Sequence, residues 1–319
     1  MADLDFEAPF AEGLKRLTEL RAYRGDPGKE REAAILKAQL DKDRREVYAN
    51  LTSWQRTLVA RHPNRPYTLD YTGALLTDFF EVKGDRRFAD DPAIICGFGR
   101  FEGEAVCVIG HQKGRDTKQK IYRNFGMPKP EGYRKAMRVM RMAEKFSRPI
   151  LTFVDTPGAY PGLDAEERGQ AEAIAFNLRE MAKLTVPVIV TVVGEGGSGG
   201  ALAIAVGNRV NMLENSVYSV ITPEGCASIL WRDAGRAPEA ARARKVAAFD
   251  LKELGLIDEI VAEPPGGAHS DHDATFEAVR AVLARQLKDL SGRTVKELLD
   301  ERYAKFRAMG RLGQDLVEG

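Results

Sequence analysis

Seven consecutive residues, Gly194-Glu195-Gly196-Gly197-Ser198-Gly199-Gly200, run from an apolar stretch into a row of small residues, Ala201 to Ala205. A glycine run that opens a helix aims unpaired backbone N–H groups and the positive end of the helix dipole at whatever sits there. Glycine also lets a ligand oxygen approach the backbone with no side chain in between. The chemistry this pattern predicts is stabilisation of an oxyanion. A second loop, Asp155-Thr156-Pro157-Gly158-Ala159-Tyr160-Pro161-Gly162, follows the preceding apolar stretch. Ligands of open α/β sheets collect at such carboxyl ends of strands. Gly158, Ala159 and Tyr160 from one loop, and Gly196, Gly197 and Ser198 from the other, are therefore candidate ligand contacts.

The same glycines satisfy two rival patterns. Gly194-x-Gly196-x-x-Gly199 matches a dinucleotide fingerprint, with Glu214 about twenty residues on as the ribose acid. Against it, Glu195 places a carboxylate in the loop, and the motif sits on a late strand. Gly196-x-Ser198-x-Gly200 matches a nucleophile elbow, which Asp258 and His269 would complete as a serine hydrolase. Against that, the loop holds more glycine than one sharp turn needs. A basic run from His111 to Lys120 carries Lys113, Arg115 and Lys118. These are either a solvated face or contacts for the phosphates of an anionic substrate such as CoA.

Alternating strands and helices must position these loops. Ala93–Gly99 and Ala105–Gly110 predict a β-hairpin turning near Glu102-Gly103. Helix Gly132–Phe146 then leads to strand Pro149–Val154, helix Ala165–Leu184 to strand Pro187–Val193, and the glycine loop to helix Gly200–Val206. That order implies parallel pairing through crossovers. Strands Arg209–Leu213, Val217–Ile221 and Leu256–Val261 follow, with helices dominating from Pro238 to Met309. Ahead of the strands, Leu14, Leu17 and Leu20, then Leu36, Leu40, Val47, Leu51, Trp54 and Leu58, form stripes either side of a Gly25-Asp26-Pro27-Gly28 breaker. They predict a helical hairpin whose second helix runs from Glu30 to Arg61. Three parts result: an amino-terminal arm over 1–62, a core over 63–265 and a helical extension over 266–319.

The 319 residues are 44% hydrophobic and 30% charged, with a formal net charge of +1. That balance suits a globular protein and implies no nucleic-acid partner. The apolar runs are too short to span a bilayer, and the acidic start is unlike a signal peptide, so the expected location is cytoplasmic with no membrane contact. Cys96, Cys107 and Cys226 form no CxxC pair and are expected as reduced thiols. His269 and His272 have no further Cys or His nearby, so no metal site is expected.

The segments RHPNRPYTLDY, GHQKGRDTKQKIYRNFGMPKPEGYRKA, FVDTPGAYPG, ERGQAEAIA, GEGGSGGALAIAVGNRVNML and TPEGCASILW resemble the alpha subunits of bacterial acetyl-CoA carboxylase carboxyltransferases. The resemblance covers about Arg61 to Gly267. It implies an α/β crotonase-like fold, a spiral of ββα turns, and an α2β2 enzyme with active sites between subunits. It also implies an oxyanion hole at the Gly199 and Gly200 amides for biotin. Carboxybiotin would arrive on a biotin carboxyl carrier protein, and its carboxyl group would pass to acetyl-CoA to give malonyl-CoA for fatty acid synthesis. No cofactor would be held permanently. Zinc would belong to a four-cysteine ribbon on the beta partner, and ATP use to the biotin carboxylase component.

Overall fold

The computed structural model describes residues 4–23 and 25–310. Helices α1 (Ala11–Ala22) and α2 (Pro27–Ala49) form the hairpin, with the Asp26 carboxylate capping α2 by accepting from the Gly28 and Lys29 amides. Phe10, Leu17, Leu20, Ala33 and Leu40 close its seam. The helix expected from Glu30 to Arg61 is interrupted. Thr52 and Gln55 exchange hydrogen bonds in a capping box that starts a separate helix, α3 (Ser53–Ala60). Such a box satisfies two amides that would otherwise need a continuing helix, so the chain can turn there. Helix α3 joins the arm to the sheet: Val59 packs on Tyr48 and Leu51 at the end of the arm, while Ala60 packs on Val217 beside β5.

Helix α4 (Thr68–Leu75) precedes three antiparallel strands, β1 (Thr77–Glu81), β2 (Ile94–Phe101) and β3 (Glu104–His111). The short α5 (Thr117–Tyr122) and then α6 (Pro130–Lys145) carry the chain back to β4 (Ile150–Thr156), parallel to β3. Next come α7 (Leu163–Glu167) and α8 (Gln170–Met181). The single helix expected over Ala165–Leu184 is divided because Gly169 adopts φ +83°, a conformation that no helix continues through. Strand β5 (Val188–Gly197) is parallel to β4. It is followed by α9 (Ser198–Leu202), β6 (Arg209–Leu213), β7 (Val217–Ser219), α10 (Pro223–Trp231), α11 (Ala237–Ala243), α12 (Ala248–Glu253), β8 (Glu259–Val261), α13 (His272–Ser291) and α14 (Val295–Ala308).

The sheet order is β1-β2-β3-β4-β5-β6-β8, and β7 pairs with the far end of β5. Residues 194–197, expected in a loop, are strand, because Val217–Ser219 lies beside Glu195–Gly197. The helix expected from Gly200 consequently begins at Ser198. Strands β4 and β5 are buried along their whole length, as parallel strands with helices on both faces must be. Ile150, Val154, Val188, Val190 and Val192 face Tyr133, Met140, Ala173 and Met181 of α6 and α8. Leu151, Phe153, Ile189 and Val193 face Tyr71 of α4 and Phe276, Val279 and Leu283 of α13. The carboxy-terminal helices are thus one cover of the core. Arg302 of α14 is only 1% exposed and donates to the Met181, Leu184 and Val186 carbonyls. The expected extension past Gly310 lies outside the described residues.

Candidate active site

The loops after β4 and β5 meet backbone to backbone. A Cβ at Gly197 would lie 2.1 Å from the Pro157 carbonyl oxygen, and one at Gly200 would lie 2.5 Å from the Ala159 nitrogen. Only glycine permits this approach, which is why the run is so rich in it. Thr156 steadies the facing loop: its hydroxyl donates to the Gly158 carbonyl at 2.7 Å and accepts from the Gly158 amide at 3.1 Å. Ser198 opens α9 at φ +53°, and Gly197 provides no side-chain cap. The first amides of α9 are therefore left for another acceptor. Gly199 faces a side chain and no backbone: an added Cβ would press on the Ile174 side chain at 3.3 Å.

A cavity of about 430 Å3 abuts Ser198 and Gly199. Its walls are apolar, including Leu202, Val210, Tyr218, Leu256 and Phe306. A flat, weakly polar ring could lie there with one oxygen at the helix start. Ser198, Leu202 and Val220 on the cavity's rim are exposed, so a ligand or partner that covers the groove would strengthen any hydrogen bond the amides make to a charged oxygen.

Behind the loops runs a chain of charges, deeply buried at Asp155 and Glu195 and partly exposed at its Arg61 and Glu224 end. The Lys113 ammonium lies 2.7 Å from Asp155 Oδ1 and 2.9 Å from Glu195 Oε2. Arg61 Nε donates to Glu195 Oε1 at 2.6 Å, and the same guanidinium continues to Glu224 on α10. The Glu195 amide donates to Asp155 Oδ1 at 2.9 Å, so the two strand ends are tied by backbone as well. Burial opposes the charge on Glu195, but Lys113 and Arg61 outweigh it and bring its pKa to about 2. Burial likewise opposes the charge on Lys113, yet Asp155 and Glu195 raise its pKa. Burial pushes the Asp155 carboxyl upward, with Lys113 acting against that rise. His111, at the end of β3, is fully buried, and burial lowers its pKa to about 3. Being neutral, it can accept at Nδ1 from the Asp155 amide, 3.4 Å away.

A family profile described as acetyl co-enzyme A carboxylase carboxyltransferase-like matches residues 3–310. The acetyl-coenzyme A carboxylase carboxyl transferase subunit alpha of Syntrophotalea carbinolica is 62% identical over 308 residues, which are 96% of this chain and 97% of that one. This chain belongs to that family. The alpha subunit of Geobacter metallireducens is 59% identical over 98% of both chains. Among solved structures, transcarboxylase 12S with methylmalonyl-coenzyme A and methylmalonic acid bound superposes with TM-score 0.59 at 19% identity, covering 72% of this chain and 42% of that one. A Pseudomonas malonate decarboxylase hetero-tetramer in complex with coenzyme A gives TM-score 0.58 at 19% identity, over 73% and 91%. At such identities the likeness concerns the fold alone, and it is the expected crotonase-like α/β architecture.

Within this carboxyltransferase family member, the structure brings Gly158, Ala159, Gly197 and Gly200 into one junction. Ser198 and Gly199 line the cavity beside it, together with Tyr218 of β7. Gly196 packs on the Tyr218 ring, where its Cβ would come within 2.6 Å. Tyr160 stands at the junction's edge, its amide bonded to the Pro128 carbonyl and its ring under the Lys129 ammonium. The basic run is not one surface. Lys113 turns inward to two carboxylates, Arg115 lies over the Tyr67 ring and bonds Asp70 at 2.7 Å, and Lys118 is exposed on α5.

The hydrolase constellation does not assemble. His269 stacks on His62 at 3.8 Å and sits 3.7 Å from Glu7, while Asp258 accepts from the Val210 amide and pairs with Lys305. Glu214, the ribose acid of the dinucleotide pattern, accepts from the Glu263 amide. His272 bonds the Asn64 carbonyl. Sequence reasoning missed Arg61, His111 and Glu224 as site residues. Nothing in their spacing marks them, because they reach the site from three separate elements.

Proposed function

We propose that this chain is the alpha half of an acetyl-CoA carboxylase carboxyltransferase and carries the biotin side of a site shared with a beta subunit. The observation that carries this reading is the junction itself. Amides of Gly199 and Gly200 begin a helix beside an apolar cavity, and Gly200 is clamped against the backbone of the facing loop. The cavity's lining suits the bicyclic ring of biotin, with Ser198, Gly199, Leu202 and Tyr218 as the residues that would hold it. When bound, carboxybiotin supplies the carboxyl group that passes to acetyl-CoA. Gly199 and Gly200 hold negative charge on an oxygen placed at the helix start, a task that backbone amides perform without a side-chain nucleophile. Gly158, Ala159, Tyr160, Gly196 and Gly197 shape the pocket. Arg115 and Lys118 face the CoA phosphates, and Lys113, with Asp155, Glu195 and Arg61, fixes the loops.

On this reading the partners are the beta subunit in an α2β2 assembly, the biotin carboxyl carrier protein and biotin carboxylase, in the cytoplasm. The zinc of the assembly belongs to the beta partner. Among the described residues no helix is long and apolar enough to cross a membrane. The test is the reverse reaction, acetyl-CoA formed from malonyl-CoA with biotin as acceptor. Turnover is expected when this chain is mixed with the beta partner and not with either alone. A correctly assembled complex that shows no biotin-dependent turnover overturns the proposal.

A further inference from the structure

On the outer side of α6 and α8, away from the glycine junction, lies a second cavity of about 310 Å3. Five arginines line it: Arg86, Arg87, Arg134, Arg138 and Arg141. The carboxylates on its wall are Asp85 and Glu172. Two of the five arginine charges are answered by carboxylates, Arg134 by Asp85 at 2.8 Å and Arg141 by Glu180 at 3.0 Å. The other three are not, among the described residues. Arg138 donates to the Lys83 and Gly84 carbonyls, Arg86 donates to the Lys83 carbonyl, and Arg87 has no side-chain partner.

These side chains are set by local structure. Arg134, Arg138 and Arg141 recur at four- and three-residue steps on α6 and so share one face. Arg86 and Arg87 come from the loop after β1, which a single buried carboxylate folds: Asp85 Oδ1 accepts from the Arg87, Phe88 and Ala89 amides at 2.9, 2.8 and 3.1 Å. Arg86 is held there at φ +64°. A non-glycine residue in that region is strained and persists only where its surroundings impose it. The loop thus holds two guanidinium groups toward a third across a concave surface. Guanidinium forks match phosphate oxygens two at a time, and several together favour an anion carrying more than one phosphate.

We infer that this cavity binds a pyrophosphate group. That group occurs in coenzyme A and in free nucleotides such as ADP. The inference is independent of the oxyanion site, since binding here can be measured without turnover.

The experiment is calorimetric titration of inorganic pyrophosphate at low salt into the full chain assembled with its beta partner. Saturable binding at one site per chain is expected, weakened about tenfold or more by Arg87→Glu and by a smaller factor by Arg87→Lys, which keeps the charge and loses the fork. Arg87 is exposed and makes no side-chain bond among the described residues, so its replacement should leave the fold intact. Arg21→Glu, on the distant arm, should bind as the wild type does. Competition then separates the sources. Displacement by both ADP and CoA indicates a general nucleotide-diphosphate site, whereas displacement by CoA alone, with a raised KM for the CoA substrate in Arg87→Glu, indicates a substrate contact. Absence of saturable binding at millimolar pyrophosphate, or binding unchanged by Arg87→Glu, overturns the inference.

Discussion

The two ends of strands β3, β4 and β5 are filled in opposite ways. At the carboxyl ends, His111, Asp155 and Glu195 bring polar side chains inward, Lys113 and Arg61 neutralise them, and glycines bring two backbones into contact. At the amino ends lies a larger cavity, about 560 Å3, between Val106, Pro149 and Val186 of the strand starts and Leu287, Leu290 and Leu298 of α13 and α14. Among the described residues, the ion pairs at the rim of the larger space, such as Arg293 with Glu301 at 2.9 Å, are partly exposed to solvent. Chemistry is marked by what lines a space and how firmly the lining is held, and volume alone does not reveal it. The smaller site is held by charge pairs that are expensive to break because their partners are out of water.

Four outcomes would break or sharpen that contrast. The largest effect is expected at Arg65, which donates to the Val193 carbonyl of β5 and pairs with Glu263 at 2.7 Å, both side chains being buried. Arg65→Ala strands a buried carboxylate and should cost about 3–5 kcal/mol in chemical denaturation. A loss below 1 kcal/mol, at the surface-pair level, would show that the charged end is not specially held. Next is Gly199→Val, whose Cβ would press on the flexible Ile174 side chain at 3.3 Å. A folded, assembled variant should lose ~10²–10³ in turnover, about 3–4 kcal/mol. Near-normal turnover would remove Gly199 from the proposed site.

The third outcome concerns acid. Burial opposes the charges of Glu195 and Glu263, but their cationic partners outweigh it and hold both near a pKa of about 2, below the ordinary 4.5. A carboxyl whose folded pKa is depressed adds stability above its unfolded value, and that stability is lost as pH falls toward the folded one. The thermal midpoint should therefore drop between about pH 4.5 and 2. Glu195→Gln, which cannot titrate, should flatten part of that drop. A variant with an unchanged acid profile would exclude Glu195 as its source. The smallest effect is expected from Ala284→Leu, which adds volume into the amino-end cavity. Stability should change by less than about 1.5 kcal/mol and turnover hardly at all. A large loss of turnover would place function at the end that now looks structural.

Much of the frame was legible because its signals are local. The apolar runs around Ile150–Val154 and Val188–Val193, the hairpin turn at Glu102-Gly103, and helix α6 follow from periodicity and turn chemistry. The break at Thr52 also had a local sign, Thr52 followed three residues later by Gln55, which the continuing apolar stripe obscured. The division of the next predicted helix at Gly169 was less visible, since an isolated glycine is tolerated in many helices. Residues 194–197 look like loop in isolation. They are strand because β7 arrives from twenty-two positions downstream to pair with them.

By itself the sequence determined the class of fold, the family, and the place where glycines open a helix after a buried strand. Those depend on neighbouring residues and on long matched segments. The tertiary structure alone decided that Lys113 points inward while Lys118 faces solvent, that Arg61 joins Glu195 across 134 positions, and that Gly200 must be bare because another loop's backbone lies 2.5 Å from its missing Cβ. Charge pairing and backbone contact depend on distance in space, and no local pattern encodes which distant element will supply the partner.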